Sequence, residues 1–290
     1  IDEWLALAIN KGYVPGTDIS KMLVNADFSE GKDKGWEGEA KATGHATVET
    51  EKGNLYGIES WSSKPFAISQ TVTGMKPGYY LVSVDGAYRP QNDRYSYNYA
   101  ANISANGVIN FLQTVIEDPI SAADAIDDEN AHLKDPTPDL GISEDGITTD
   151  FTEEFPADGY VVHGPYGLAI EANAGRYKNY IACEVGADSV LTIGIANPHS
   201  KVGTNEWTGA ANVRLVFLGG NEDDEATVGL ATALESQLAR ANTILNKYEF
   251  SDVTMAASAP NYSNHLKLAL EAAVAEADAA ETPEQKIASI

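Results

Sequence analysis

The chain has 290 residues, 43% hydrophobic and 21% charged, which is length enough for one large folded unit and a smaller second one. Its 43 Asp and Glu against 19 Lys and Arg give a formal charge of -24 at pH 7, which repels phosphate backbones and anionic membranes and argues against nucleic acid as a partner. No apolar run is long enough to cross a bilayer as a helix, so no transmembrane segment is expected, and the lone cysteine, Cys183, cannot form an intramolecular disulfide.

With Ile1 in place of an initiator Met, the sequence reads as a mature segment whose targeting signal has been removed. Residues 2–12 carry Trp4, Leu5, Ala8 and Ile9 at helical spacing with Gly12 as a stop, so a short N-terminal helix and lead-in is expected over 1–21. From Met22 the texture changes to short β-rich runs bounded by Gly, Pro and Asn, at 22–28, 46–50, 55–60, 66–73, 79–88, 97–104 and 108–117. Asn106-Gly107 lies between two such runs, and because both residues tolerate positive φ it predicts a tight hairpin.

Residues 117–159 interrupt the series with 14 acids against the single base Lys134, which reads as a solvated insertion, either a partly ordered lid or plain surface. Strand-like runs resume at 160–163, 167–171, 178–185, 189–196 and 211–218, so one β-sandwich over 22–220 is expected to close after the insertion. Cys183, between the apolar positions Ile181 and Val185, is expected to be a buried, inert thiol.

After Gly219-Gly220, Leu230, Leu234, Leu238, Ala241 and Leu245 follow three- and four-residue spacing, and Leu266, Leu270, Ala273 and Ala277 mark a second helix. Thr282-Pro283-Glu284-Gln285 supplies an N-cap, a proline at the first helical position and a capping-box glutamine, so a third helix starts there. Residues 221–290 are thus an α-helical hairpin or a truncated three-helix bundle, with further domains of the same polypeptide expected after Ile290.

Catalytic and metal signatures are scarce. The histidines at 45, 132, 163, 199 and 265 show no zinc-ligand spacing, and the acidic insertion puts Gly141, Ser143 and Thr152 where a calcium loop needs carboxylates. No Gly-x-Ser-x-Gly elbow or nucleotide-binding glycine loop occurs, and 43 acids supply carboxylate pairs by chance, so no catalytic residue is assigned and the chain is read as a non-enzyme.

The most ligand-like stretch runs from Tyr88 and Arg89 through Asn92, Arg94, Tyr95 and Tyr97 to Tyr99. Aromatic faces offer flat apolar area to the C–H faces of sugar rings, while Arg and Asn supply directional hydrogen bonds to hydroxyls. Tyr95, Tyr97 and Tyr99 alternate, so they serve equally as one face of a core strand. Trp61 and Trp207 are further candidate sugar platforms, whereas Trp36, after Gly35, reads first as core.

Several segments resemble the galactose-binding-like, carbohydrate-binding-module-like jelly rolls of exported glycan-handling proteins of gut Bacteroidetes. They are Asn25-Ala26-Asp27-Phe28 with Gly35-Trp36, Glu59-Ser60-Trp61 with 66–72, Gly74 to Tyr80 leading into Gly86-Ala87-Tyr88-Arg89, and Leu191 to Ile195 followed by Asn205-Glu206-Trp207-Thr208 and Asn212-Val213-Arg214-Leu215. The resemblance implies a mainly-β jelly-roll sandwich, a glycan partner and an extracellular, cell-surface or periplasmic location. Related modules hold a structural calcium through an aspartate just before the final asparagine, and Ala211 stands there in this chain. The helices after Gly220 resemble helical repeats that follow such modules, which implies a spacer role.

Three functions compete. A non-catalytic glycan-binding module would use Trp61, Tyr88, Arg89, Asn92, Arg94, Tyr95, Tyr97 and Trp207. A structural or adhesion module would space other domains or contact a protein, and a glycoside hydrolase or lyase would need a close carboxylate pair in a cleft.

Overall fold

The structure, a computed structural model, describes residues 13–32, 34–40, 44–50, 53–61, 65–89, 101–113, 120–121, 133–134, 159–162, 164–173, 175–198, 207–220, 224–247 and 262–290. The expected N-terminal helix over 2–12 lies outside the described residues. Strands in chain order are β1 (Thr17–Asp18), β2 (Glu37–Ala40), β3 (Gly44–Thr50), β4 (Gly53–Trp61), β5 (Phe66–Thr73), β6 (Gly78–Arg89), β7 (Asn102–Ala105), β8 (Val108–Phe111), β9 (Ile120–Ser121), β10 (Leu133–Lys134) and β11 (Gly159–Val162). Helix α1 (Pro165–Asn173) precedes β12 (Lys178–Val185), β13 (Val190–Asn197) and β14 (Trp207–Gly219), and α2 (Asp224–Lys247), α3 (Tyr262–Asp278) and α4 (Pro283–Ser289) close the chain.

The protein is mainly β, a jelly-roll sandwich of two antiparallel sheets with helices packed outside. One sheet has the order β12-β6-β14-β4-β3, with β1 added to β14, and the other β2-β5-β13-β7-β8. Successive strands wrap from one sheet to the other, and period-two alternation points Ile58, Tyr80, Val82 and Val84 of the first sheet at Ile68, Ile103, Ile193 and Ile195 of the second. Phe28, Trp36 and Phe217 are fully buried among them, and each large apolar side chain so buried contributes roughly 1.5–3 kcal/mol. Trp36 is therefore core.

Side-chain amides close the two long seams. On one side Asn110 Nδ2 donates to the Tyr180 carbonyl at 2.8 Å and Asn106 Nδ2 to the Glu184 carbonyl at 2.9 Å, tying β7 and β8 to β12. On the other, Gln70 accepts from the Val24 amide at 2.7 Å and donates to the Val24 and Gly35 carbonyls at 2.9 and 2.8 Å. These bonds let backbone groups that no strand pairs be buried without the full desolvation penalty.

Connections differ between the two ends. The turns at 74–77, 106–107 and 186–189 are short and gather at one end, with Asn106 at φ 46 and Gly107 at φ 84, the positive pair that the Asn-Gly hairpin predicts. The connections after Trp61, Arg89, Phe111 and Asn197 all leave from the other end, the long ones being those after Arg89 (90–101) and Asn197 (198–206).

Two expectations need correcting. Residues 22–28 are not a strand: Asn25 and Phe28 take φ of 52 and 60, and Asn25 organises the loop by accepting from the Glu30 amide at 2.7 Å and donating to the Gly31 and Lys34 carbonyls at 2.8 and 3.0 Å. Residues 167–171 belong to helix α1, because Pro165 starts it and its residues are buried on more than one side, which erases the amphipathic signature. Within the insertion 117–159, read as either a partly ordered lid or plain surface, β9 and β10 both pair with β11 in a small three-stranded sheet.

Helix α2 and the last helix, α4, pack on the outer face of the first sheet, where Tyr79, Ala182, Leu218 and Leu230 form an apolar cluster with Leu81, Val216, Ile287 and Ile290. The capping box of α4 is present: Thr282 Oγ1 accepts from the Gln285 amide at 3.3 Å and Gln285 Oε1 from the Thr282 amide at 3.0 Å. Cys183 is buried in the core, and desolvation pushes its thiol up to about 12, as an inert structural cysteine requires.

Candidate functional site

Strand register brings several of the sequence candidates to one place. Trp207 on β14 stands opposite Trp61 on β4, so the two share one cross-strand row on the outer face, and the backbone register puts Arg89 of β6 opposite Trp207, at the end from which the connections after Arg89 and Asn197 leave. Trp61 is 47% exposed and Trp207 only 1%. The Trp207 indole Nε1 donates to Glu59 Oε2 at 2.6 Å, and Gly209, two residues on, leaves the room that its ring and Leu168 of α1 take up. Trp207 is thus a buried support held by a carboxylate, and Trp61 is the aromatic face that the row presents to solvent.

Tyr88 belongs elsewhere. It points inward, is 3% exposed and is part of the main core cluster, so the rim position expected for it is corrected to core. The reason is parity: Tyr80, Val82 and Val84 fix the inward set of β6, and Tyr88 falls in the same phase while Arg89 falls in the other. Asn92, Arg94, Tyr95 and Tyr97 lie outside the described residues, in the connection between Arg89 and Ala101.

Glu59 was not among the sequence candidates. Its signal was available, since it lies two residues before Trp61 and therefore on the same side of β4. A second missed feature is the outward face of the other sheet. Its rows read Ala67, Ala196, Asn102, Phe111, then Glu37, Ser69, Gly194, Ser104, Ile109, then Thr71 and Thr192, whose hydroxyls meet at 3.1 Å. Most of these side chains are small, while Ile109 and Phe111 on the edge strand β8 are 60% and 49% exposed. Among the described residues no helix packs on this face.

Behind the tryptophan row lies a buried ion pair. Asp85 is 2% exposed and accepts from Lys178 Nζ at 2.5 Å and from Asn212 Nδ2 at 2.9 Å, joining β6, β12 and β14. Burial raises the Asp85 carboxyl above the usual carboxylate range, opposed by its hydrogen bonds to Lys178 and Asn212 and by the charges of Lys178 and Arg214. The residues around Ala211 do not fit the calcium that the resemblance brings to mind. Asp85, its partner in register, is committed to the Lys178 ammonium, and among the described residues no three His, Cys, Asp or Glu side chains cluster.

No protein-family model matches the chain, and no curated protein matches it either. Among solved structures it is similar to a family 16 carbohydrate-binding module, at 12% identity over 67% of this chain and 99% of that one, with a TM-score of 0.33. It is similar to a family 61 module solved with β-1,4-galactotriose, at 10% identity over 68% and 97%, with a TM-score of 0.28. It is also similar to the enzymatically active domain of tailspike protein 4 of bacteriophage CBA120, at 10% identity over 68% of this chain and 21% of that one, with a TM-score of 0.30. TM-scores this low transfer neither a fold nor a ligand, and the sandwich assignment rests on the strand pairing itself.

Proposed function

We propose that the chain is a non-catalytic carbohydrate-binding module of an exported glycan-handling protein, with the sandwich over 22–220 carrying the site and the helices over 221–290 acting as a spacer. The observation that carries the reading is the row of Trp61 and Trp207 at the end where the long connections leave, with Trp61 exposed and its neighbour braced by Glu59. An indole face presented to solvent beside a carboxylate-fixed indole suits a sugar ring, which needs apolar stacking and directional hydrogen bonds together.

The test is a glycan-array screen with calorimetric follow-up, monitored for released reducing ends. A saturable hit that weakens at least about ten-fold in Trp61→Ala, corresponding to about 1.4 kcal/mol, with no product released, supports the reading. Release of reducing ends makes the chain a glycosidase or lyase instead.

A second reading, a structural or adhesion module, is favoured by one observation: Tyr88 and Trp207, two of the aromatic candidates, are covered. Silence of the well-folded protein across a broad array would leave that reading in place.

A further inference from the structure

Strand β5 is covered along one side and only partly along the other. β13 pairs with it from Phe66 to Thr73 with no shift of register, whereas β2 meets its opposite side at Ala67 and Ser69. Among the described residues no strand follows β2 along the run 70–73. Gln70 closes the first of these positions with its side chain, whose three hydrogen bonds hold the Val24 and Gly35 backbone. Beyond it lies a cleft of about 330 Å³, lined by Met22 and Val24 on the loop and by Thr71, Val72 and Thr73 on the strand. Successive residues of a strand direct their backbone N–H and C=O groups to opposite edges, so alternate residues of this run turn theirs toward the cleft.

Sheet edges are ordinarily blunted by charge, proline or a bulge, because an open ladder pairs with other strands. The run 70–73 has no charged residue and no proline, and its register with β13 is unbroken. Thr71 and Thr73 are exposed β-branched residues suited to a ladder, and Val24, 45% exposed, sets an aliphatic side chain beside them.

We propose that this edge takes up an extended segment of another protein as an additional strand, paired backbone to backbone along 71–73. An aliphatic side chain of that segment enters between Met22 and Val24, and a lysine or arginine meets Glu37. Charge selects the occupant. Among the described residues that line the cleft Glu37 alone is charged, it is exposed, and the whole chain carries -24. A basic segment is therefore drawn in, while a second copy of the chain would bring the same net charge and a second Glu37. Backbone pairing supplies affinity, and the cleft with Glu37 supplies selection.

The experiment is fluorescence anisotropy of the full chain against short, capped peptides of alternating Val and Thr, with Lys, Ser or Glu at the centre. Each is also made with every second amide N-methylated, in both phases. The Lys peptide is expected to bind at least about ten-fold more tightly than the Glu peptide, and Glu37→Lys to reverse that order. N-methylation in one phase is expected to abolish binding and in the other to spare it, since an added strand pairs through one edge. Hydrogen exchange over 70–73 should slow in the complex. Val24→Asp, at an exposed loop position, should weaken binding at least about ten-fold while the thermal transition stays within a few degrees.

Absence of binding by every peptide overturns the proposal, and so does equal affinity for the Lys and Glu peptides. Binding indifferent to N-methylation in both phases would mean capture of side chains without strand addition. A dimer seen by sedimentation that Val24→Asp dissociates would give the edge to a second copy of the chain instead. The tryptophan row lies on the other sheet, so this test and the glycan screen can fail separately.

Discussion

At the scale of single residues, burial decides chemistry. With its thiol pushed up to about 12 and no exposed surface, Cys183 is expected to react with a thiol reagent only when the sandwich opens. Labelling should therefore follow the unfolding rate measured by fluorescence, and labelling at the rate of a free thiol would contradict the buried placement. Trp207→Phe keeps the apolar bulk but removes the donor to Glu59, and should lower stability by about 1–2 kcal/mol in a denaturant titration, since the bond is charge-assisted. What the sequence hides at this scale is phase. Trp61, Tyr88 and Trp207 look alike as aromatic residues at strand ends, and only the register of β4, β6 and β14 separates the exposed one from the two covered ones.

At the scale of elements, the Asp85–Lys178 pair and the seating of α2 make distinct predictions. Lys178→Met leaves a carboxylate buried without its cation and should cost about 2–3 kcal/mol, whereas Asp85→Asn combined with Lys178→Met should recover much of that loss, because desolvating the charges opposes their attraction. The pH dependence has a definite sign. The folded-state carboxyl is raised above its unfolded value, so the folded protein holds that proton more tightly. The associated stability is fully present below the unfolded carboxylate range and is lost as pH rises through the folded value. Relative to Asp85→Asn, the wild type should gain stability on acidification across that window, as read from melting temperatures at stepped pH.

Gly229 lies in the first third of α2, where alanine ordinarily favours a helix by about 1 kcal/mol. A Cβ there would overlap the Leu218 carbonyl oxygen of β14, so Gly229→Ala should instead destabilise the protein and lift α2 off the sheet. Increased hydrogen exchange in α2 would report it.

Legibility at this scale follows from how each element is stabilised. The strand at 66–73 was readable to the residue because alternation reflects one buried and one open face. Helix α4 was readable because its capping chemistry is local. Helix α1 was not, since a nine-residue segment buried on more than one side has no period to detect, and 22–28 was not, since Asn25 and Gln70 replace a ladder that composition alone suggests.

At the scale of the whole molecule, a charge of -24 spread over one sandwich and its helices opposes the compact state. Raising NaCl from 20 to 300 mM should lift the melting temperature by a few degrees, and a flat response would mean that local ion pairs already offset the repulsion. The candidate site was partly legible at this scale. The tryptophans and Arg89 were visible as residue types, but the outward face of the second sheet was missed because it belongs to strands far apart in sequence that only pairing unites.

The separation of short turns from long connections has a consequence for descent with modification. Register is fixed at the hairpin end, by Asn106-Gly107 and its neighbours, and the seams are locked by Asn110, Asn106 and Gln70. Variation at the opposite end can therefore accumulate without disturbing the pairing that defines the scaffold. Such a sandwich is suited to diversification by loop exchange, with library variants drawn from the connections after Arg89 and Asn197 and the hairpin end left as it is.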